Sequence, residues 1–445
     1  MEFQVQPKQR GLSPARLMKG VFALSLTLSL LWSGFGERNY AAAETGTEAP
    51  ISSISELGSE YAPTVQSAKH NVALKKDGTI WVWGSNGSGE LGLGDTKVRK
   101  VPVQVTGPIQ DIPFKQVDAG IQFTVALAAD GTVWAWGQNS SGELGDGTTT
   151  RRLEPVQVRD PSDPSGYLTG VKQIQGGSSQ SVALKEDGSV YTWGNNQSGQ
   201  LGVDRKIPLS LVPLKVPNLP PIVNIVVSNG YTMAIDEAGV LWAWGEESYG
   251  QLGIGTIPSS TVLEASFKPI KVHAPDNSAP EWADVDQIAA GVTHVLALKD
   301  GKVYAWGNNL QGALGIGNST RNFSGYPIPV QDPGDPSGQL SDVKAIAAGW
   351  DQSYAIKNDG TVVAWGVNLY GQLGNGTNQS SKLPVPVKWD NGSPFDGAVA
   401  VTAGFNFGLL LREDGTLWAM GNNAAGQLGN DGKENSYKYP VPVKL

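Results

Sequence analysis

Three histidines, His70, His273 and His294, are the chain's only imidazoles, and no cysteine accompanies them. Scattered in this way, they offer neither the ligand spacing of a zinc site nor an imidazole close to a candidate nucleophile. The lack of thiols excludes disulfides and thiolate metal centres. No Gly-x-Ser-x-Gly turn backed by a histidine and no phosphate-binding loop is present. The carboxylates with suggestive spacing lie in Asp160-Pro-Ser-Asp163-Pro-Ser-Gly and its near copy Asp332-Pro-Gly-Asp335-Pro-Ser-Gly. Two aspartates three residues apart supply a few oxygens toward calcium, far short of a full ligand set, and Asx-type turns explain Asp-Pro equally well. No catalytic residue, metal site or cofactor is assigned from these groups.

The elements that carry them repeat. An aromatic residue or methionine followed by glycine recurs at Gly84, Gly137, Gly194, Gly245, Gly307, Gly366 and Gly421, at intervals of 51 to 62 residues, which makes seven units. Each unit opens on a short apolar stretch that ends near Ala-Gly, as at Ala119-Gly120 and Ala403-Gly404. A second strand such as Thr124-Val-Ala-Leu127 then runs into Asp-Gly, with Ala238-Gly239 the one exception. Asp-Gly suits a two-residue hairpin turn, because its backbone reaches positive φ. The third strand alternates large apolar residues, as in Trp134/Trp136 and Trp242/Trp244, and places each pair on one face. A turn of the type Asn196-Gln-Ser-Gly-Gln-Leu-Gly202 leads to a Pro-Val strand such as Val101-Pro-Val-Gln-Val105. Proline confines this last strand to a sheet edge. Four strands repeated seven times predict an all-β, seven-bladed β-propeller over residues 63–445.

The succession Ala-Gly, Ala-Leu, Asp-Gly, Trp-x-Trp-Gly, Asn-x-x-Gly-Gln-Leu-Gly and Pro-Val-x-Val resembles the repeat of the regulator of chromosome condensation family, here in a form taken to be the secreted bacterial type. The resemblance implies a central channel and two loop-bearing faces. In the family the loop after Ala-Gly commonly holds a histidine, and His70 and His294 fall there, which implies a structural hydrogen-bonding role. The family's plant photoreceptor carries Gly-Trp-Arg-His in this loop; only Trp350 matches, and no arginine follows it.

Ten of the 14 tryptophans belong to the Trp-x-Trp-Gly strand and are read as core. The variable feature is a loop triplet just after Ala-Gly, which includes Ile121-Gln122-Phe123, Asn229-Gly230-Tyr231, Trp350-Asp351-Gln352 and Phe405-Asn406-Phe407. If the triplets share a face, Ile121, Phe123, Tyr231, Trp350, Asp351, Phe405 and Asn406 form the candidate surface for a protein partner. The alternative is that third-position residues, Phe123, Tyr231 and Phe407, point into the blades as core.

Upstream, Lys8, Arg10, Arg16 and Lys19 precede an apolar run from Gly20 to Trp32 and then Ala41-Ala42-Ala43. This is the pattern of a signal peptide over residues 1–43, with Met18 an alternative start, and the run is too short for a stable membrane span. Residues 44–62 read as a flexible leader. Removing residues 1–43 takes five basic and two acidic side chains and moves the formal charge from −8 to −11. Such acidity disfavours nucleic acid as a partner. The sequence therefore predicts a non-enzymatic scaffold, secreted or associated with the cell envelope, that binds a protein or a glycan through one loop face. Two alternatives stand beside it: an inhibitor of a secreted enzyme, resembling the exported bacterial propeller that inhibits β-lactamases, and a cell-wall hydrolase or lyase.

Overall fold

A computed structural model of the protein describes residues 51–55, 70–255, 265–317 and 320–445. Seven four-stranded antiparallel sheets follow one another along the chain, and each is built from four consecutive strands. They form the blades of a β-propeller. In blade 2 the strands run in the order Phe114–Ala119, Phe123–Ala128, Val133–Gly137 and Arg152–Gln157, from the inside outward. The second strand of each blade is buried along almost its whole length, whereas the proline-bearing fourth strand is partly exposed. The core therefore lies between blades, where the faces of adjacent sheets meet. Among the described residues no helix is long and apolar enough to cross a membrane.

Two expectations are corrected. Residues Ile51–Ser55, placed by composition in a flexible leader, pair with His70–Lys75 as the innermost strand of blade 1. A five-residue segment with little internal periodicity gains its strand character from that partner edge. The proposed signal segment lies outside the described residues. The Asp-Gly hairpins are two-residue turns only in blade 5, where Lys299 faces Lys302 and Asp300 and Gly301 have φ of 51° and 72°. Elsewhere the turn holds one more residue: Gly78 N–H donates to the Lys75 carbonyl, and only the glycine takes positive φ, 83°. Aspartate acts there through its side chain, since Asp77 Oδ1 accepts from both the N–H and the hydroxyl of Thr79, at 2.9 and 2.7 Å.

One joint recurs between blades. The second tryptophan of the Trp-x-Trp-Gly strand donates its indole N–H to a carbonyl in the preceding blade's Gly-x-Leu-Gly turn. Trp136 meets Glu90 O at 2.9 Å, Trp193 meets Glu143 O at 2.9 Å, Trp306 meets Gln251 O at 2.9 Å and Trp365 meets Ala313 O at 2.8 Å. A hydroxyl on the neighbouring strand often reaches the same oxygen, as Thr124 Oγ1 does at 2.7 Å. The leucine of that turn must be followed by glycine, because a Cβ at Gly92 would lie 2.7 Å from Trp136 Nε1. The ring closes through the same joint: Trp83 of blade 1 donates to Gln427 O of blade 7 at 2.9 Å, and Asn71 Nδ2 donates to it at 2.6 Å. No strand is shared between first and last blade among the described residues.

Blade 7 has Met420 where the other blades have this tryptophan, and Gly408 where blades 1 to 4 and 6 carry a hydroxyl or amide and blade 5 has Val295. Blade 6 compensates. Tyr354 lies fully buried against that gap, and its hydroxyl donates to Gln372 O at 2.6 Å, the carbonyl a tryptophan would have served. A side-chain atom at Gly408 would fall 2.9 Å from the Tyr354 oxygen. Tyr354→Phe leaves this buried carbonyl without the hydroxyl, and chemical denaturation should register a loss of about 1–3 kcal/mol. A change within a few tenths of a kcal/mol would show that the hydroxyl is dispensable to the joint.

Candidate functional site

Within each blade the chain runs antiparallel, so the loop after the first strand and the turn after the third emerge on one face, while the Asp-Gly turns emerge on the other. The triplets therefore do share a face. They ring the mouth of the channel, and the depression there is bordered by Ile121, Ser178, Asn229, Val292 and Trp350, the first residues of five triplets. The backbone that aims them is fixed from below. In blades 2 to 7 the carbonyl of the second triplet residue accepts the N–H that follows the aromatic- or Met-Gly glycine, as Gln122 O does from Gln138 at 2.8 Å and Asp351 O from Val367 at 2.9 Å. Only glycine fits beneath: Gly137 has φ 104°, and its Cβ would lie 2.5 Å from Gln122 O.

Neighbouring triplets are also latched to one another around the mouth. Ile121 N–H donates to Gly177 O at 3.1 Å, Gln180 Nε2 to Ser228 O at 2.8 Å and Val292 N–H to Gly349 O at 3.1 Å. Tyr231 Oη and Gln352 Nε2 reach Gly291 O and Gly404 O, each at 2.5 Å. Third-position residues thus face the next blade. Phe123, Tyr231 and Phe407 are fully buried, so Phe123 and Tyr231 present no surface to a partner. Asn406 is also buried; its backbone φ is 114°, and its Oδ1 accepts from Gln372 Nε2 at 3.1 Å. The positions that remain at the surface are the half-buried Ile121, Trp350, Asp351 and Phe405. Trp350 and Phe405, from blades 6 and 7, stack with ring centroids 3.8 Å apart and planes at 20°. Burial pushes the Asp351 carboxyl beside this stack up to about 6.

The histidines are structural. His70 Nε2 lies 3.0 Å from Thr124 Oγ1 and His294 Nε2 lies 2.9 Å from Ser353 Oγ, each reaching into the following blade. Burial pushes their pKa down to about 3 and about 4, which keeps both rings neutral. His273 is far from them in function, paired through Nδ1 with Asn277 Oδ1 at 2.6 Å. The two Asp-Pro loops prove alike and self-contained. Asp163 Oδ1 accepts from Ser165 N–H and hydroxyl and Oδ2 from Thr169; Asp335 is engaged in the same way by Ser337 and Ser341. Trp282 and Trp389 pack against the blades, edge-on to Tyr304 at 5.2 Å and to Trp418 at 4.8 Å respectively.

Sequence reasoning missed two features. Glutamine amides clip adjacent inner strands: Gln116 bonds both the N–H and the C=O of Ile174, at 3.0 and 2.6 Å, and Gln173 does the same for Ile225. Asp118 extends the clip, accepting Gly176 N–H at 2.7 Å, and burial pushes its carboxyl up to about 8. The other feature lies on the turns after the third strands, where Leu310, Leu369 and Tyr370 are 58%, 68% and 40% exposed. Their signal was available in the sequence, since the corresponding positions of blades 1 to 3 hold Gly87-Ser88, Ser140-Ser141 and Gln197-Ser198.

The family model of the RCC1-like domain matches residues 65–336 and 168–445. The chain belongs to the RCC1-like domain family. It is 29% identical to the ultraviolet-B receptor UVR8 of Arabidopsis thaliana over 366 residues, covering 81% of this chain and 77% of that one. It is 30% identical to the human E3 ubiquitin-protein ligase HERC2 over 82% of this chain, but over only 7% of HERC2. Among solved structures, Prp20p of Saccharomyces cerevisiae, described with its binding properties to Gsp1p and histones, aligns with a TM-score of 0.69 at 24% identity, over 84% of this chain and 87% of that one. These relatives are eukaryotic, so the family assignment stands without the secreted bacterial subtype.

The buried groups give the RCC1-like chain opposing pH dependences. His70 and His294 bind protons below about 6.5 when unfolded but only near 3 and 4 when folded, so their contribution to stability is lost as pH falls from 6.5 toward 4. Asp118 has the reverse sign: its carboxyl is raised from 3.8 to about 8, so its contribution is lost as pH rises between those values. His70→Gln/His294→Gln, which installs the amide found at Gln180 and Gln352, should flatten the fall in melting temperature between pH 7 and pH 5. Asp118→Asn should flatten the slope on the alkaline side. Unchanged slopes in both variants would remove these groups as its source.

Proposed function

We propose that this RCC1-like propeller is a binding scaffold that holds a protein partner on the loop face around the Trp350–Phe405 stack. The observation that carries the reading is that stack: two large aromatic rings, half-buried and pressed together at the mouth of the channel on rigidly latched loops. Aromatic anchors held in place by their own scaffold are the features that dominate protein recognition, because little conformational freedom is lost on contact. The depression they border is lined by glycine, alanine, Ile121, Val292, Ser178, Ser228 and Asn229 and by no carboxylate. That favours binding over a cell-wall hydrolase or lyase, which needs converging acids. The relationship to Prp20p, whose structure is described with binding to Gsp1p and histones, supports a protein as the ligand class over a glycan.

The basic and apolar pattern of residues 8–43 supports export, with residues 1–43 removed and the propeller acting outside the cytoplasm or at the cell envelope. An inhibitor of a secreted enzyme would use the same face and differ only in what it caps. A pull-down from secreted and surface fractions of the producing cell, comparing the mature protein with Trp350→Ala/Phe405→Ala, tests the reading. The variant should keep its melting temperature within a few degrees, as surface truncations do, and should lose the partner captured by the parent protein. Equal capture by both would move the site to the opposite face or the channel.

A further inference from the structure

The loop face displays exposed apolar side chains and free cations together, and the combination specifies what it fits. Leu310, Leu369 and Tyr370 stand out on the turns of blades 5 and 6, on the side where Trp350 and Phe405 stack. They are held, not loose. Leu310 N–H donates to Asn308 Oδ1 at 2.8 Å, Asn378 Nδ2 donates to Leu369 O at 2.7 Å and Tyr370 N–H donates to Gln372 Oε1 at 2.9 Å. Exposed leucines on pinned backbone present apolar area at low entropic cost to an incoming chain.

The same face also carries charge. Lys97, Lys100, Arg151 and Lys206 on blades 1 to 3 and Lys382, Lys433 and Lys438 on blades 6 and 7 are exposed and enter no ion pair among the described residues. On blades 1 to 3 their neighbours Arg99 and Arg152 are neutralised by Asp95 at 2.9 Å and Asp146 at 2.6 Å, and the exposed acids on these blades of the face are Glu154 and Asp204. The opposite face has the reverse character. Asp77, Asp130, Asp187, Asp359 and Asp414 occupy its turns, and Asp77, Asp187, Asp359 and Asp414 are held below the usual carboxylate range, largely by hydrogen bonds from the Thr or Ser two residues on. A chain of formal charge −8 therefore places free cations on the face that also displays its exposed leucines.

We infer that the partner of this face is a protein segment that joins an apolar anchor to a run of carboxylates, the anchor seating on the exposed leucines of blades 5 and 6 and the carboxylates on the cations around the ring. The inference rests on the binding reading above and adds the chemistry of the ligand. A nucleic acid would satisfy the cations and leave Leu310, Leu369 and Tyr370 against a charged backbone, so an acidic peptide is the better complement.

The test is fluorescence anisotropy with labelled synthetic peptides: a leucine-phenylalanine block followed by glutamates, the same block followed by lysines, and the glutamates alone, with a single-stranded oligonucleotide as a further probe. The first peptide should bind best, and its affinity should fall as salt rises. Lys97→Glu/Arg151→Glu/Lys206→Glu and Leu310→Ser/Leu369→Ser should each weaken it by about tenfold or more. Absence of binding, equal affinity for the lysine peptide, indifference to charge reversal, or tighter binding of the oligonucleotide would overturn the inference. The natural partner separates the two levels. Its retention by Trp350→Ala/Phe405→Ala defeats the binding reading itself. Its loss from that variant, with full retention by the charge-reversed one, defeats only the acidic ligand.

Discussion

An indole N–H directed at a carbonyl of the preceding blade is the contact on which the whole ring depends. Adjacent sheets have no backbone ladder to join them, only single backbone bonds at their ends such as Ile121 N–H to Gly177 O, so along the interface their alignment is set by side chains, and an apolar interface by itself would let sheets slide. The tryptophan supplies both requirements at once. Its ring fills the space between sheets, and its one polar atom fixes the depth at which the next turn can sit. Glycine in that turn follows from the indole, as Gly92 against Trp136 and Gly145 against Trp193 demonstrate. The turn in turn positions the third-to-fourth strand connections that carry Leu310 and Leu369.

The repeat, its strand count and its proline-bearing outer edge were legible because each depends on local pattern: period-two alternation, a turn residue, a missing donor. Tertiary pairing was not legible. Ile51–Ser55 has no strand signal of its own and becomes one beside His70–Lys75. The turn residues show the limit most clearly, since Asp-Gly reads the same in blades 1 and 5 although one extra residue in blade 1 changes the turn and the job of the aspartate.

The candidate face was read in part. The triplets were found because they vary while their flanks do not, and Trp350 and Phe405 do meet. Variation alone could not distinguish a residue that varies to meet a partner from one that varies to meet the next blade. Phe123, Tyr231, His70, His294, Gln180 and Gln352 are of the second kind, and each solves the same inter-blade contact with different chemistry. The glutamine clips of the inner strands escaped for a similar reason: Gln116 alternates like an exposed polar residue, yet its amide substitutes for a strand partner.

The joint between blades 6 and 7 carries a consequence for how the ring is assembled. Seven sheets linked head to tail are equivalent to a cyclic oligomer with heterologous interfaces, in which each subunit offers a socket to one neighbour and a plug to the other. Were all plugs alike, any blade could follow any other, and misregistered rings would compete with the native one during folding. Blade 7 has the reduced plug of Met420 and Gly408, and only blade 6, with Tyr354, has the filled-in socket that matches it. The pair marks one interface as unique and gives an otherwise repetitive circle a fixed point from which the order of its blades is counted.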